Sequence, residues 1–406
     1  MMLSGLSYIS KRDGIGGRIK TVPDEFAVEE ILTDRTVLEA DKPIERDDSC
    51  GDFTWFAVQK KHWTTEGAIR RIAKALHVGP RRFSYAGTKD KDSVSTQLIS
   101  VFQVDKERIL ALCLKDIKIL GAWRCDHKLK LGELLGNRFR IIVREATEDA
   151  EESVREIYEE LGGAFPNYFG EQRFGTIRCN THKIGEHIVR GRYNLAAKVF
   201  LSDFEGEDNV EAANARRTLR ETGNYGRALK EFPRHLRLER SMLAHLERHP
   251  KDYVNALRKL PRGIQLLFIH AFQSFLFNIL LSERIREGRV VAEFGEYYCG
   301  EKLGFPDLRE RKGQETRWIV GRIIGYDMQA NERESTLLER LDLKLSDFKI
   351  KGIPELSSKG THRLLLSPLK EFSFKEDTFR FMLPAGSYAT VALREFLDEN
   401  KGRGES

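Results

Sequence analysis

Apolar residues recur along this chain at two periods, and the change from one to the other divides it. In the first third a period of two stands out. Phe139, Ile141 and Val143 fall on one side of a strand over Arg138–Arg144, with Arg138, Arg140 and Arg144 on the other. Val94–Phe102 is apolar and β-branched and reads as a returning strand, and Pro23-Asp24-Glu25 forms a turn feeding a short strand over Phe26–Ile31. A helical period intervenes twice. Thr65 can cap a helix whose apolar positions are Ile69, Ile72, Ala73 and Leu76, with Arg70, Arg71 and Lys74 on the outer face. Gly79-Pro80 stops it, and a strand through Phe83–Ala86 follows. Val154, Ile157, Tyr158 and Leu161 make the stripe of a second helix, ended by Gly162-Gly163.

Beyond about residue 180 the helical period takes over and persists from Leu195 to Glu287, punctuated by Pro233, Pro250 and Pro261. Gly263–Arg286 is apolar nearly all round, as the core helix of that region should be. Its most apolar window, Ile264–Leu281, is interrupted by His270, Gln273, Ser274 and Asn278, which favours a buried helix over a membrane span. Strand-like runs return at Arg363–Ser367 and Thr378–Leu383, before a closing helix to about Leu397 and a frayed end over Lys401–Ser406. The pattern is that of a strand-bearing domain interrupted by a helical insertion.

Charge sharpens the picture. The chain of 406 residues has a formal net charge of only +6. The stretch Lys60–Asp92 holds nine Lys/Arg against three Asp/Glu, an excess equal to that of the whole chain. Such a zone suits contact with phosphates, and equally a solvated helix face. The five cysteines are scattered, without the close spacing of a zinc site, and fit reduced thiols. Met1–Ile9 lacks the basic start and apolar core of a secretion signal, so the expectation is a cytoplasmic protein.

Within the basic zone lies Gly87-Thr88-Lys89-Asp90-Lys91. Lysines on both sides favour an ionised Asp90, and a carboxylate held on a turn can serve as nucleophile or base. Asp90-Lys91-Asp92 also has the form of an aspartyl-phosphate phosphotransferase motif. Those motifs, however, place the first Asp directly after a long apolar strand, and here Gly87-Thr88-Lys89 intervenes. His245 and His249, four apart, read as exposed helix histidines more readily than as metal ligands, as do His182 and His187. Gly14-Ile-Gly-Gly17 is a turn without the spacing of a dinucleotide loop, and no Walker A sequence occurs. Pro166–Gly175 is dense in aromatic, Asn, Gln and Arg side chains, which can grip an unstacked base or simply pack.

Taken together, Gly17-Arg-Ile-Lys20 with Pro23-Asp-Glu-Phe26, Ala86-Gly-Thr-Lys-Asp90-Lys, Leu131–Phe139 with its Gly-Asn-x-Phe segment, Asn167–Gly175, His270–Asn278 and Leu383–Thr390 resemble the blocks of the TruD family of tRNA pseudouridine synthases. The resemblance covers nearly the whole chain and favours the archaeal and eukaryotic branch. One block departs conservatively: Glu25 stands where Asp is usual, ahead of Phe26 and Ala27.

The resemblance implies an α+β fold. A pseudouridine synthase catalytic domain with a mainly antiparallel sheet would span 1–180 and 346–406, and a largely helical TRUD insertion would span 181–345. The loop 166–175 could belong to either. It implies an isomerase that detaches uracil of tRNA uridine 13, rotates it and rejoins it through C5, using no cofactor and no metal. Asp90 would be the essential carboxylate and Lys20 its partner. Phe139 would stack on the uracil and Asn137 would hydrogen-bond near it, with Phe26, Lys89, Lys91 and Arg173 as further substrate contacts. Whether Asp90 attacks the sugar or the base, or promotes glycal formation, is left open. The lysines beside it could bind phosphate or keep it ionised. A monomer with tRNA as partner and no membrane contact completes the expectation; a non-catalytic RNA-binding protein of the same fold is the alternative.

Overall fold

The apolar alternation of the N-terminal third builds six strands: β1 (Phe26–Ile31), β2 (Phe53–Lys61), β3 (Phe83–Tyr85), β4 (Val94–Phe102), β5 (Ile117–Cys125) and β6 (Gly136–Ile142). With the hairpin Lys370–Lys375/Thr378–Pro384 they form an eight-stranded sheet, in which the hairpin is followed by β6, β1, β4, β2 and β5. Every pairing is antiparallel except β1 with β4. The structure, a computed structural model, describes residues 5–314 and 316–398, so the expected frayed end lies outside the described residues.

One edge of β4 is filled along its length by β2. The other edge is shared. β1 pairs with Val94, Ser95 and Thr96, and β3 pairs with Ile99, Ser100 and Val101. The connection from β3 to β4, residues 86–93, carries Asp90. It therefore emerges beside a gap in the ladder, which leaves backbone groups to be satisfied by side chains.

Helix α1 (Thr65–Ala75) covers one face of this sheet. Ala68, Ile69, Ile72, Ala73 and Leu76 pack on Phe56, Val58, Ile99 and Val101, all buried. Its cap is Thr64, not Thr65: the Thr64 hydroxyl accepts from Gly67 N at 3.0 Å. The helix stops before Gly79-Pro80, at Leu76, and His77 takes a left-handed φ of 55°. The second expected helix forms over Ala150–Leu161 and ends at Gly162 with φ 56°, where a residue without Cβ carries the left-handed turn at little cost. Gly14–Gly17 is irregular backbone, not the expected turn, and lies along the end of the closing helix, with Gly14 N donating to Asp398 O at 2.8 Å and Ile15 N to Phe396 O at 2.8 Å.

Two compact units divide the chain. One comprises Ile9–Asn167, Glu301–Asp307 and Leu366–Ser406 and contains the large sheet; the other comprises Met1–Tyr8, Tyr168–Gly300 and Leu308–Leu365. The breaks fall at 167/168 and 365/366 where the sequence suggested 180/181 and 345/346. Side-chain packing explains both shifts. Phe169 is tied to the long helix Arg262–Arg286 by reciprocal bonds with Asn278, at 2.8 and 3.0 Å. Phe348, Ile350, Ile353 and Leu356 are buried in the same core as Phe268, Phe272 and Leu276 of that helix.

The long helix is the one, among the described residues, apolar and long enough to cross a membrane, yet 67% of that window is buried in the protein. It packs so closely on Thr181–Val189 that a Cβ on Gly185 would lie 1.9 Å from Phe268 O. The second unit also holds a sheet that the sequence pattern did not reveal, in which Ile319–Ile323 pairs with Thr361–Leu364 and with Tyr297–Tyr298.

Candidate active site

The turn bearing Asp90 is clamped from below by buried polar side chains. The Lys60 ammonium, at the end of β2, donates to the carbonyls of Trp63 at 2.6 Å, Asp90 at 2.9 Å and Lys89 at 3.5 Å. Ser93 Oγ donates to the same Asp90 carbonyl at 3.0 Å. Thr65, freed from capping, accepts from Lys89 N at 2.9 Å and donates to Gln97 Oε1 at 2.8 Å. Gln97 Nε2 in turn reaches Gly87 O at 3.3 Å. Glu30 of β1 binds the Lys89 ammonium at 2.6 Å and, with its other oxygen, accepts from Leu98 N at 3.0 Å. That last bond fills the gap between β1 and β3 on the edge of β4. Glu30, Lys60, Thr65, Lys89, Ser93 and Gln97 are all buried, so each polar contact is made away from water.

Above this base the Asp90 side chain is half-buried, its Oδ2 2.9 Å from Lys20 Nζ. Lys20 holds a left-handed backbone with φ 61°, an uncommon conformation for a lysine that surrounding structure must impose. Its ammonium lies 4.3 Å from the centroid of the Phe26 ring, a cation–π contact that fixes the charge against an apolar wall. Phe26 meets Phe139 edge-on at 6.4 Å, and Phe139 stacks on Phe381 at 5.4 Å. Cross-strand register explains the grouping. Phe26, Val28 and Glu30 of β1 lie opposite Ile141, Phe139 and Asn137 of β6, and paired residues share a face. Asn137 Oδ1 is buried with no hydrogen-bond partner, an acceptor that a protein ordinarily satisfies.

Asp90, Lys20, Phe26, Phe139 and Asn137 thus gather on one face of the large sheet. The other expected contacts fall differently. Lys89, expected as a substrate contact, is turned inward onto Glu30, whereas Lys91 is exposed. Arg173 belongs to the second unit, where its Nε donates to Ser274 Oγ at 3.1 Å and its guanidinium lies 5.4 Å from the Phe169 ring. In the aromatic loop, Asn167, Tyr168 and Phe169 are buried, Phe174 is partly buried, and Glu171 and Gln172 are exposed, so packing claims two of the three rings that could have gripped a base.

The arginines of β6 do not make a free basic strip either. Arg138 pairs with Glu29 at 2.6 Å and Arg144 with Glu25 at 2.7 Å, while Arg140 reaches Asp24 O at 3.4 Å. The Arg144 bond holds the Glu25 carboxyl below its ordinary range.

Three of the four histidines, His182, His187 and His245, are less exposed than their spacing suggested, while His249 is exposed. Burial pushes His182, stacked on Phe275, down to about 4 and lowers His187 as well. His245 bonds Asp252 at 2.9 Å. Cys125, Asp126 and His127 bring potential ligand atoms within 4.8 Å of one another. His127 is bonded to Asp126 at 2.6 Å, and that bond raises its basicity.

Sequence reasoning missed Lys60, Thr65, Gln97 and Glu30. Lys60 and Thr65 sat inside patterns that already had an explanation, a charged run and a helix cap. Glu30 carried the one available signal: a carboxylate in an otherwise apolar strand face needs a cation, and Lys89 lies nearby in the motif.

A half-buried aspartate–lysine pair set against an aromatic wall is an arrangement suited to carboxylate chemistry on a flat, polar ligand. Comparison with known proteins gives the class a name. The sequence model described as "tRNA pseudouridine synthase D (TruD)" matches residues 3–396. The chain is 36% identical to the probable tRNA pseudouridine synthase D of Thermococcus onnurineus, over 98% of both chains. It is 41% identical to that of Methanopyrus kandleri, over 86% of both. A crystal structure of the putative tRNA pseudouridine synthase D from Methanosarcina mazei superposes with a TM-score of 0.75 at 31% identity, covering 97% of each chain. The chain belongs to the TruD family of tRNA pseudouridine synthases, a family of isomerases.

The buried pair under the turn is open to test. Glu30→Ala strands the Lys89 ammonium without its counter-charge and should cost about 3–5 kcal/mol, read as a lowered urea midpoint. Glu30→Leu with Lys89→Met should recover part of that loss. A Glu30→Ala midpoint equal to wild type would mean that Lys89 finds another partner.

Proposed function

We propose that this protein isomerises uridine 13 of tRNA to pseudouridine, with Asp90 as the essential carboxylate. The observation that carries this reading is the Asp90–Lys20 pair at 2.9 Å, set against Phe26 and Phe139 on a clamped turn. In the reaction the bond from ribose C1′ to uracil N1 breaks and a bond from C1′ to C5 forms. The C5 hydrogen leaves as a proton and N1 takes one up. Nothing is oxidised or reduced, so the chemistry asks for a placed carboxylate and a held base rather than for a metal or redox cofactor.

Each neighbour has a part in this reading. Lys20 supplies the counter-charge to Asp90. The target base must leave its stack, at a cost of a few kcal/mol, and an aromatic surface repays it. One face of Phe139 is stacked on Phe381 and Phe26 meets the ring in a T-shaped contact, so the base would use the ring surface that these two leave. The unpartnered Asn137 Oδ1 is an acceptor suited to a ring N–H of uracil. Phe26 walls the site, and Lys91 and Arg173 serve as phosphate contacts, while Lys89 acts through the turn it holds. The protein works in the cytoplasm as a monomer.

The RNA backbone is met by α1. Arg70, Arg71, Lys74, Arg81 and Lys91 are exposed, and among the described residues none has a carboxylate within ion-pair distance. The remaining cations of the same zone are committed: Lys61 to Asp24, Arg82 to Gln103 O, and Lys60 and Lys89 beneath the turn. Unneutralised guanidinium groups on one helix face suit a phosphate chain.

An unmodified tRNA transcript tritiated at uracil C5 tests the activity. Wild-type protein in EDTA should release tritium and place pseudouridine at position 13, and a transcript with cytidine at 13 should release none. Binding without release from the uridine-13 transcript would favour a non-catalytic RNA-binding protein. The triple change Arg70→Gln, Arg71→Gln, Lys74→Gln should weaken tRNA binding and lower the slope of log K against log salt by roughly 2. At saturating tRNA its single-turnover rate should equal that of wild type. An unchanged salt slope would remove α1 from the RNA interface.

A further inference from the structure

We propose that Lys60 is a positioning residue for the reaction, whose ammonium fixes the backbone under Asp90 and so aims the carboxylate. The inference rests on the proposed isomerase activity and adds a residue to it. Lys60 touches no reacting atom. Its three N–H groups face three carbonyls, those of Trp63, Lys89 and Asp90, at 2.6, 3.5 and 2.9 Å. Its residue is 1% exposed, so this is a lysine removed from water with backbone oxygens as its ligands. Carbonyl oxygens solvate an ammonium without neutralising it, which is a costly way to bury a charge. A cheaper side chain would serve if the only need were to fill space beneath α1.

What the charge provides is a tie between two segments. Trp63 leads into α1, and Lys89 and Asp90 form the turn, so one ammonium joins the helix entrance to the catalytic carbonyl. The Asp90 carbonyl is held a second time by Ser93 Oγ at 3.0 Å. Two donors on one carbonyl fix the peptide plane from which the Asp90 side chain springs. Displacing a reacting group by as little as 1 Å can cost about 100-fold in rate, so a clamp on this peptide is read in the chemical step.

The clamp also carries a pH signature. Burial, with Lys89 next, lowers Lys60 from 10.5 to about 8, against the opposing pull of Asp90 and Glu66. Those three are the charged groups that face it, Lys89 and Asp90 from the turn and Glu66 from α1. Its partners across the ladder, Ser95 of β4 and Ile117 of β5, carry no charge. A deprotonated amine keeps two hydrogens and cannot serve three carbonyls. The sign for stability is the reverse: between about 8 and 10.5 only the unfolded chain holds this proton, so the group adds stability as pH rises. A falling rate in that window is therefore not unfolding driven by Lys60.

The test uses full-length protein and tRNA transcript under single turnover. Lys60→Met should lower the rate at saturating tRNA by roughly 10- to 100-fold, with tRNA affinity and near-ultraviolet circular dichroism unchanged. Lys60→Arg should restore part of the rate. The wild-type rate should fall above about pH 8, and that limb should move beyond the measurable range in Lys60→Arg. Should Lys60→Met not fold, Lys60→Gln, which keeps a donor of similar length, takes its place, and a Lys60→Gln rate equal to wild type in folded protein overturns the proposal. So does a Lys60→Met rate equal to wild type, or a loss confined to affinity. Inactivity of wild-type protein would instead sink the isomerase reading itself.

Discussion

The carboxylate of Glu30 occupies the one stretch of the β4 edge where neither β1 nor β3 supplies a carbonyl. One oxygen completes the ladder at Leu98 N and the other binds the Lys89 ammonium. Both partners are buried, so the pair must hold its geometry or leave an uncompensated charge in the core. Everything on the far side of the turn depends on this constraint. With Lys89 pulled down, its peptide faces Thr65 and its neighbour's carbonyl faces Lys60 and Ser93. Asp90 is then left pointing up toward Lys20.

The three lysines that surround Asp90 consequently have three different tasks. Lys89 anchors the turn, Lys60 ties it to the start of α1, and Lys20 meets the carboxylate. Lys20 is itself fixed, by its left-handed backbone and by the Phe26 ring. A carboxylate and an ammonium that need not reorganise during the reaction are what electrostatic preorganisation requires. The neighbouring aromatic row, from Phe26 through Phe139 to Phe381, follows from a register that places these residues side by side on one face.

Much of this was legible in the sequence, for physical reasons that also mark the limit. Phe26–Ile31 and Val94–Phe102 were read with the bounds the structure shows, because a short apolar or β-branched run next to turn residues marks a strand. The long helix was placed to within a residue because it is apolar nearly all round. The strands Tyr297–Lys302, Phe305–Lys312 and Ile319–Ile323 were missed, since Phe305–Lys312 is mostly charged and the pairing of Ile319–Ile323 with Thr361–Leu364 is long-range. At the site, the motif pointed to Asp90 and to Lys20, seventy residues apart in sequence. It did not distinguish inward from outward lysines, because Lys89 and Lys91 differ in burial and not in type. The arginine face of β6 was read correctly as a face, but its ion pairs were not legible, because Glu25 and Glu29 lie more than a hundred residues earlier, in the turn before β1 and in β1 itself.

The central claim, that a carboxylate aimed by a buried clamp carries the chemistry, is met most directly by Asp90→Asn, which keeps the shape and removes the charge. The measurement is the single-turnover rate of pseudouridine formation at saturating tRNA, with the dissociation constant for the same tRNA determined alongside. The structure predicts no detectable product together with wild-type affinity, since Asp90 is held by its backbone and its carbonyl bonds survive the change. Product formed at the wild-type rate would contradict the account and leave the clamped turn without its reason.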